Sequence, residues 1–148
     1  MTDADDATAG FDLDPDYVAD LQVRFRDIDS MGHVNNAVYA TYLEQARADY
    51  FEAVVGRPLH EVGTVLVSLE IEFRAPVELG ETVSVGLTVP ELGESSIPMA
   101  YAVHGDEGPA AVAETVQVAV DDEGDARPVP EAWRERIRER RRTADEGG

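Results

Sequence analysis

The sequence has no cysteine, no lysine and no apolar run long enough to cross a bilayer. Without cysteine there is no disulfide, no thiolate zinc site and no cysteine nucleophile. The histidines, His33, His60 and His104, stand far apart with neither HxH nor HxxxH spacing, so a metal site is not expected. A spanning helix needs about 20 apolar residues, and the amino terminus, MTDADDATAGFDLDPD, is acidic where a secretory leader would be basic and then apolar. These absences lead us to expect a soluble, cytoplasmic protein without a membrane partner.

With no lysine, all 12 basic residues are arginine, set against 31 acids for a formal net charge of -19. That excess of negative charge argues against nucleic acid as a partner, because phosphate backbones attract basic faces. The charge is also uneven. Residues 1–126 carry 26 acids and 5 arginines, whereas residues 127–148 carry 5 acids and 7 arginines. Dense carboxylate without lysine resembles the cytosolic proteins of salt-loving archaea. There the mutual repulsion is screened, the Debye length shrinking to about 3 Å at 1 M salt.

At 148 residues the chain has the length of one domain. Residues 1–16, rich in aspartate, read as a flexible acidic arm; residues 17–126 as a single domain; residues 127–148 as an arginine-rich helix and tail. Leu21, Val23 and Phe25 alternate with polar neighbours, which predicts a first strand running through YVADLQVRFRDI. From residue 36 to 55 the period changes: Tyr39, Leu43, Ala46, Tyr50 and Val54 form a helical stripe, widened by Val38, Tyr42 and Phe51, and closed by Gly56 and Pro58. Four strands follow. One alternates through Val65, Val67, Leu69, Ile71 and Phe73, the next through Val83, Val85, Leu87 and Val89, then comes SIPMAYAVHG, and the last has Val112, Val116, Val118 and Val120 in step. One helix between a strand and a run of strands predicts an α+β fold, with the helix lying on an antiparallel sheet. A small sheet keeps edges that a second copy can cover, so a homo-oligomer is expected.

The chemistry gathers at the entrance to the long helix, in DIDSMGHVNN. Asp27 and Asp29 are two apart, which would put both carboxylates on one face if the strand continued to them. Gly32 permits a positive φ or a close approach to a ligand. Asn35 or Asn36 is a competent helix cap, and the turn beyond it offers unpaired N–H groups. Capping alone accounts for such a loop, with His33 merely exposed. Equally, the N–H groups can polarise a carbonyl while the carboxylate attacks it or activates water. Glu44, three residues before Arg47, reads as an i,i+3 ion pair or as a hydrogen bond that supports a site residue, and the acids and arginines of RERIRERRR as a self-paired, solvated face.

DIDSMGHVNNAVYATYLEQARADYF resembles the active-site segment of hotdog-fold thioesterases of the 4-hydroxybenzoyl-CoA thioesterase and acyl-CoA thioesterase group: a strand ending in D-x-D, a G-H-V-N-N turn, and a helix with an early tyrosine and LE-x-A-R. IEFRAPVELGETVSV and VDDEGDARPVP extend the resemblance, which covers roughly residues 18–135. It implies a five-stranded antiparallel sheet wrapped around one long central helix, with a short C-terminal helix added. It further implies hydrolysis of an acyl-CoA to free acid and coenzyme A by a homodimer or homotetramer, coenzyme A being part of the substrate and no cofactor being required. Asp29 matches the catalytic carboxylate, nucleophile or general base. The backbone N–H near Asn36 matches the position that polarises the thioester carbonyl, and His33 matches a histidine of the plant acyl-carrier-protein thioesterases. Gly32, Asn35, Tyr39 and Leu43 would shape the substrate pocket. A hotdog hydratase or dehydratase, and a non-catalytic acyl-CoA-binding module, are the alternatives.

Overall fold

The structure, a computed structural model, describes residues 13–147. In chain order come β1 (Tyr17–Gln22), a 3-10 turn (Phe25–Asp27), α1 (Val38–Tyr50) running on into a π-helical turn (Phe51–Val55), and a second 3-10 turn (Leu59–Glu61). Then follow β2 (Thr64–Phe73), β3 (Thr82–Thr88), β4 (Ser96–Gly105), β5 (Gly108–Ala119) and α2 (Glu131–Gly147). The strands form one sheet in the order β1-β3-β4-β5-β2, every neighbouring pair antiparallel. The α+β architecture expected from the sequence is the one observed.

The predicted helix stripe is the buried face: Tyr39, Leu43, Ala46, Tyr50 and Val54 all lie in the core, with Tyr42 and Phe51 beside them. Against it β3 presents Val83, Val85 and Leu87, and β4 presents Ile97, Met99, Tyr101 and Val103, all buried. Branched aliphatic side chains at period two meeting a helical stripe give the apolar layer that drives such a fold. The helix ends at Gly56, whose φ of 85° is left-handed and whose N–H bonds Phe51 O at 2.8 Å.

Three expectations about strands need correction. The first strand stops at Gln22 rather than running through Ile28, so Asp27 and Asp29 do not share a strand face. In β2 the register slips between Leu66 and Ser68, so Leu69, Ile71 and Phe73 do not continue the face of Val65, and much of the strand is exposed rather than half-buried. One extra residue in a bulge reverses the alternation that follows it. In β5 the valines are not the core face. Ala111, Ala113, Thr115, Gln117 and Ala119 are buried, and Val112, Val116 and Val118 are only partly so. Small and polar residues fit there because the layer beneath already holds large helix side chains, among them Arg47.

The acidic arm also differs from expectation where it is described, its first 12 residues lying outside the described range. Asp16 is buried, accepts the Thr88 hydroxyl at 2.5 Å and the Val89 N–H at 3.3 Å, and donates its own N–H to Leu87 O at 2.8 Å. Thus the end of the arm is fixed to β3. The C-terminal helix departs from the self-paired picture too. Arg142 with Glu139 and Arg138 with Glu131 do pair within the helix, but Arg134, Arg136, Arg140 and Arg141 donate to main-chain carbonyls of Gly93, Val55, Asp16 and Val89. These guanidinium groups tie α2 to the body of the protein.

Candidate active site

Asp29 folds its own loop. Its Oδ1 accepts the N–H of Met31 at 2.9 Å and of His33 at 3.2 Å, while its N–H bonds His33 O at 2.7 Å and its carbonyl takes the Gly32 N–H at 3.1 Å. The reversal needs the φ of 81° at Gly32, where a side chain would be strained. The carboxylate is exposed, and its second oxygen makes no hydrogen bond among the described residues. So one oxygen builds the turn, and the other is left uncommitted.

Asp27 behaves oppositely. It is buried, and its Oδ2 accepts the Tyr42 hydroxyl and the Arg24 N–H, both at 2.8 Å. Burial, then the Asp27 hydrogen bond and charge, push the Tyr42 hydroxyl far above the ordinary phenol range, so Tyr42 stays a donor. This pair anchors the loop to the helix. Sequence reasoning counted Tyr42 as stripe-widening; a tyrosine one helical turn past the Asp27 loop was the available signal.

Just before the helix Asn35 Oδ1 accepts the Ala37 N–H at 2.9 Å, an Asx turn that leads into Ala37, the N-cap, which has no side-chain cap bond. Of the five consecutive N–H groups here, Asn35 bonds Asp27 O, Ala37 bonds that Oδ1, Val38 bonds Asn35 O and Tyr39 bonds Asn36 O. The Asn36 N–H has no acceptor among the described residues. His33 turns its Nε2 to Glu78 at 3.6 Å, across a bridge in which the Val34 N–H reaches Val77 O. The Glu78 contact was invisible in sequence because 45 residues separate the two partners.

The pocket residues are divided. Gly32 and Asn35 sit at the exposed loop, whereas Leu43 is wholly buried and Tyr39 nearly so. Tyr39 meets Phe73 edge-on at 5.1 Å, and burial, then the charge of Glu81, raise its hydroxyl above the phenol range. Around the loop Phe25, Met31, Phe73 and Leu79 are exposed. The expected Glu44–Arg47 pair is absent among the described residues. Arg47 points inward instead, donating to Tyr101 Oη at 3.3 Å, which in turn shares a 2.7 Å bond with Thr115. Among the described residues one trio of carboxylates is close enough to share a metal ion, Asp121, Glu123 and Asp125, in the exposed turn after β5. Its Asp121 Oδ1 is already held by the N–H groups of Glu123 and Asp125.

Residues 23–137 match the profile of the thioesterase-like superfamily, a span that holds the whole helix-entrance loop and the sheet beyond it. The chain belongs to that superfamily. Among curated proteins, the long-chain acyl-CoA thioesterase FadM of Escherichia coli is 32% identical over 81 residues. That alignment spans 52% of this chain and 61% of FadM. A Thermus thermophilus thioesterase solved with coenzyme A and zinc superposes with a TM-score of 0.80 at 39% identity, over 85% of this chain and 94% of that one. A Pseudomonas aeruginosa protein gives 0.75 at 34% identity, over 82% and 97%. The two superpositions agree with the hotdog expectation for this chain's five-stranded antiparallel sheet and helices.

Proposed function

We propose that the protein hydrolyses an acyl-CoA thioester to the free acid and coenzyme A. The observation that carries this is the pairing, seven residues apart, of an exposed Asp29 with one uncommitted carboxylate oxygen and an Asn36 N–H without an acceptor. In the reaction the thioester carbonyl oxygen would take the Asn36 N–H, which stabilises the charge that develops there. Asp29 either attacks the carbonyl carbon or removes a proton from the attacking water, and the thiolate of coenzyme A leaves. The acyl-CoA in FadM's name and the coenzyme A with which the thermophilic thioesterase was solved support this substrate class.

The site is completed by a second copy. β2 is a sheet edge with Val65, Leu66, Val67, Leu69 and Phe73 exposed, an apolar strand whose free N–H and C=O groups suit pairing with its equivalent. Phe73 packs on Tyr39 of α1, so a copy docked on β2 would wall the acyl slot. The acid excess without lysine fits a cytoplasm of high salt, and the assay belongs in molar salt.

The experiment is thiol release from short-chain, long-chain and aromatic acyl-CoAs by the wild type and by Asp29→Asn. Turnover that collapses in the variant supports the reading. Tight binding without thiol release from any ester would instead mark a binding module, and hydration of an enoyl ester a hydratase.

A further inference from the structure

Arginine is scarce in this protein outside α2, and most of it is engaged. Arg57 lies 4.0 Å from Glu61, Arg74 lies 3.6 Å from Glu72, Arg47 is buried against Tyr101, and Arg127 stacks over the Trp133 ring at 5.6 Å. Arg24 and Arg26 are the exceptions. Both are exposed, neither has a carboxylate within ion-pair distance among the described residues, and both line one cleft of about 290 Å³. The other walls are Leu21, Gln22, Thr41, Tyr42, Gln45 and Asp27. Asp27 is the single acid there, and its carboxylate is occupied by the Tyr42 hydroxyl and the Arg24 N–H. In a chain of formal charge -19, a cleft with two free guanidinium groups and neutral donors stands out. It is where an anion can approach without meeting uncompensated carboxylate.

Resting on the thioesterase reading above, we propose that Arg24 and Arg26 bind the phosphates of free coenzyme A. Guanidinium groups hold phosphate oxygens through paired N–H donors, and two of them on one cleft suit a ligand with several phosphates. Arg26 is three residues before Asp29, so the chain between them spans at most about 10 Å, and the flexible pantetheine arm can bridge that distance to the thioester. The arginines of α2 are less suited, because Arg134, Arg136, Arg140 and Arg141 already serve main-chain carbonyls. The same charge argues against a phosphopantetheine carried on an acidic protein, since two strongly negative macromolecules repel.

The test compares each acyl group as its coenzyme A ester, its phosphopantetheine ester and its pantetheine ester, which share the scissile bond and differ in phosphate. The wild type should favour the coenzyme A ester over the pantetheine ester by about tenfold or more in kcat/KM, chiefly through KM, charge-assisted hydrogen bonds being of that worth. In Arg24→Gln/Arg26→Gln, checked for an unchanged melting curve, that ratio should fall towards one. Preference for the phosphopantetheine ester over the coenzyme A ester would overturn the assignment to free coenzyme A. So would a wild-type ratio near one, or a variant that keeps the wild-type ratio; pantetheine-ester hydrolysis would then leave the thioesterase reading standing. If the wild type cleaves none of the esters, that reading falls, and calorimetry with coenzyme A alone decides the cleft. Binding lost in the double variant upholds it; equal binding, or none in the wild type, overturns it.

Discussion

The two ends of the central helix are built on opposite plans. The exit is tied down: Gly56 turns the chain, its N–H returns to Phe51 O, and the Val55 carbonyl takes Arg136 of α2 at 2.8 Å. At the entrance, among the described residues, an N–H goes without an acceptor, a carboxylate stands in solvent with one oxygen that accepts no hydrogen bond, and Phe25 and Met31 are exposed. Backbone polar groups normally find partners because leaving them unpaired is costly. An open end, on a helix whose other end is tied down, is therefore where we expect a substrate.

The contrast can be broken most sharply at Asp29. Asp29→Asn keeps the oxygen that accepts the loop N–H groups and removes the charge, so kcat should fall by about 10²–10⁴-fold with little change in melting temperature. A stability loss with activity retained would reduce Asp29 to a cap. Next comes Tyr42→Phe, which strips a donor from the buried Asp27 carboxylate and should cost about 1–3 kcal/mol in urea unfolding. Tyr42 also gives a sign for alkaline pH. Its hydroxyl is raised in the folded state, as are those of Tyr39, Tyr50 and Tyr101. Above the unfolded value of about 10 the unfolded chain releases protons that the native one keeps, so stability should fall as pH rises past 10. The slope should be shallower in Tyr42→Phe. At the exit, Gly56→Ala places a Cβ at left-handed φ and 2.7 Å from Arg136 Nη1, which should cost about 1–2 kcal/mol without touching kcat. A comparable loss of kcat there would erase the distinction between the two ends.

Much of this was legible in the sequence, and what was not has identifiable causes. The helix stripe from Tyr39 to Val54 and the aliphatic face of β3 were readable because period and burial agree there. The β2 and β5 faces misled, since Val67 sits in a bulge that no propensity announces and the β5 valines lie opposite a floor of alanine, threonine and glutamine. Asp29, Gly32, Asn35 and Asn36 could be placed in one loop because they are neighbours in the chain. Their hydrogen bonds could not be assigned, because capping and catalysis ask for the same residue types. Contacts such as His33 with Glu78, Arg47 with Tyr101 and Arg136 with Val55 depend on how distant segments pack.

The smallest expected effect tests whether the exit is held by geometry or by charge. Arg57 and Glu61 flank the turn after Gly56 at 4.0 Å, both about half exposed, and His60 lies 3.7 Å from the same carboxylate. Exposed pairs of this kind are worth roughly 0–1 kcal/mol and are screened by salt. Arg57→Ala also removes one of few cations from a chain of charge -19, so loss of the pair and added repulsion act in the same direction. Glu61→Gln separates them: it breaks the pair but relieves the repulsion. In dilute buffer we expect Arg57→Ala to lower stability by up to about 0.5 kcal/mol and Glu61→Gln to leave it level or slightly raise it, with both differences vanishing near 1 M salt. A loss in Arg57→Ala that survives molar salt would mean that its side chain packs rather than pairs, and the exit would then owe its closure to more than Gly56 and Arg136.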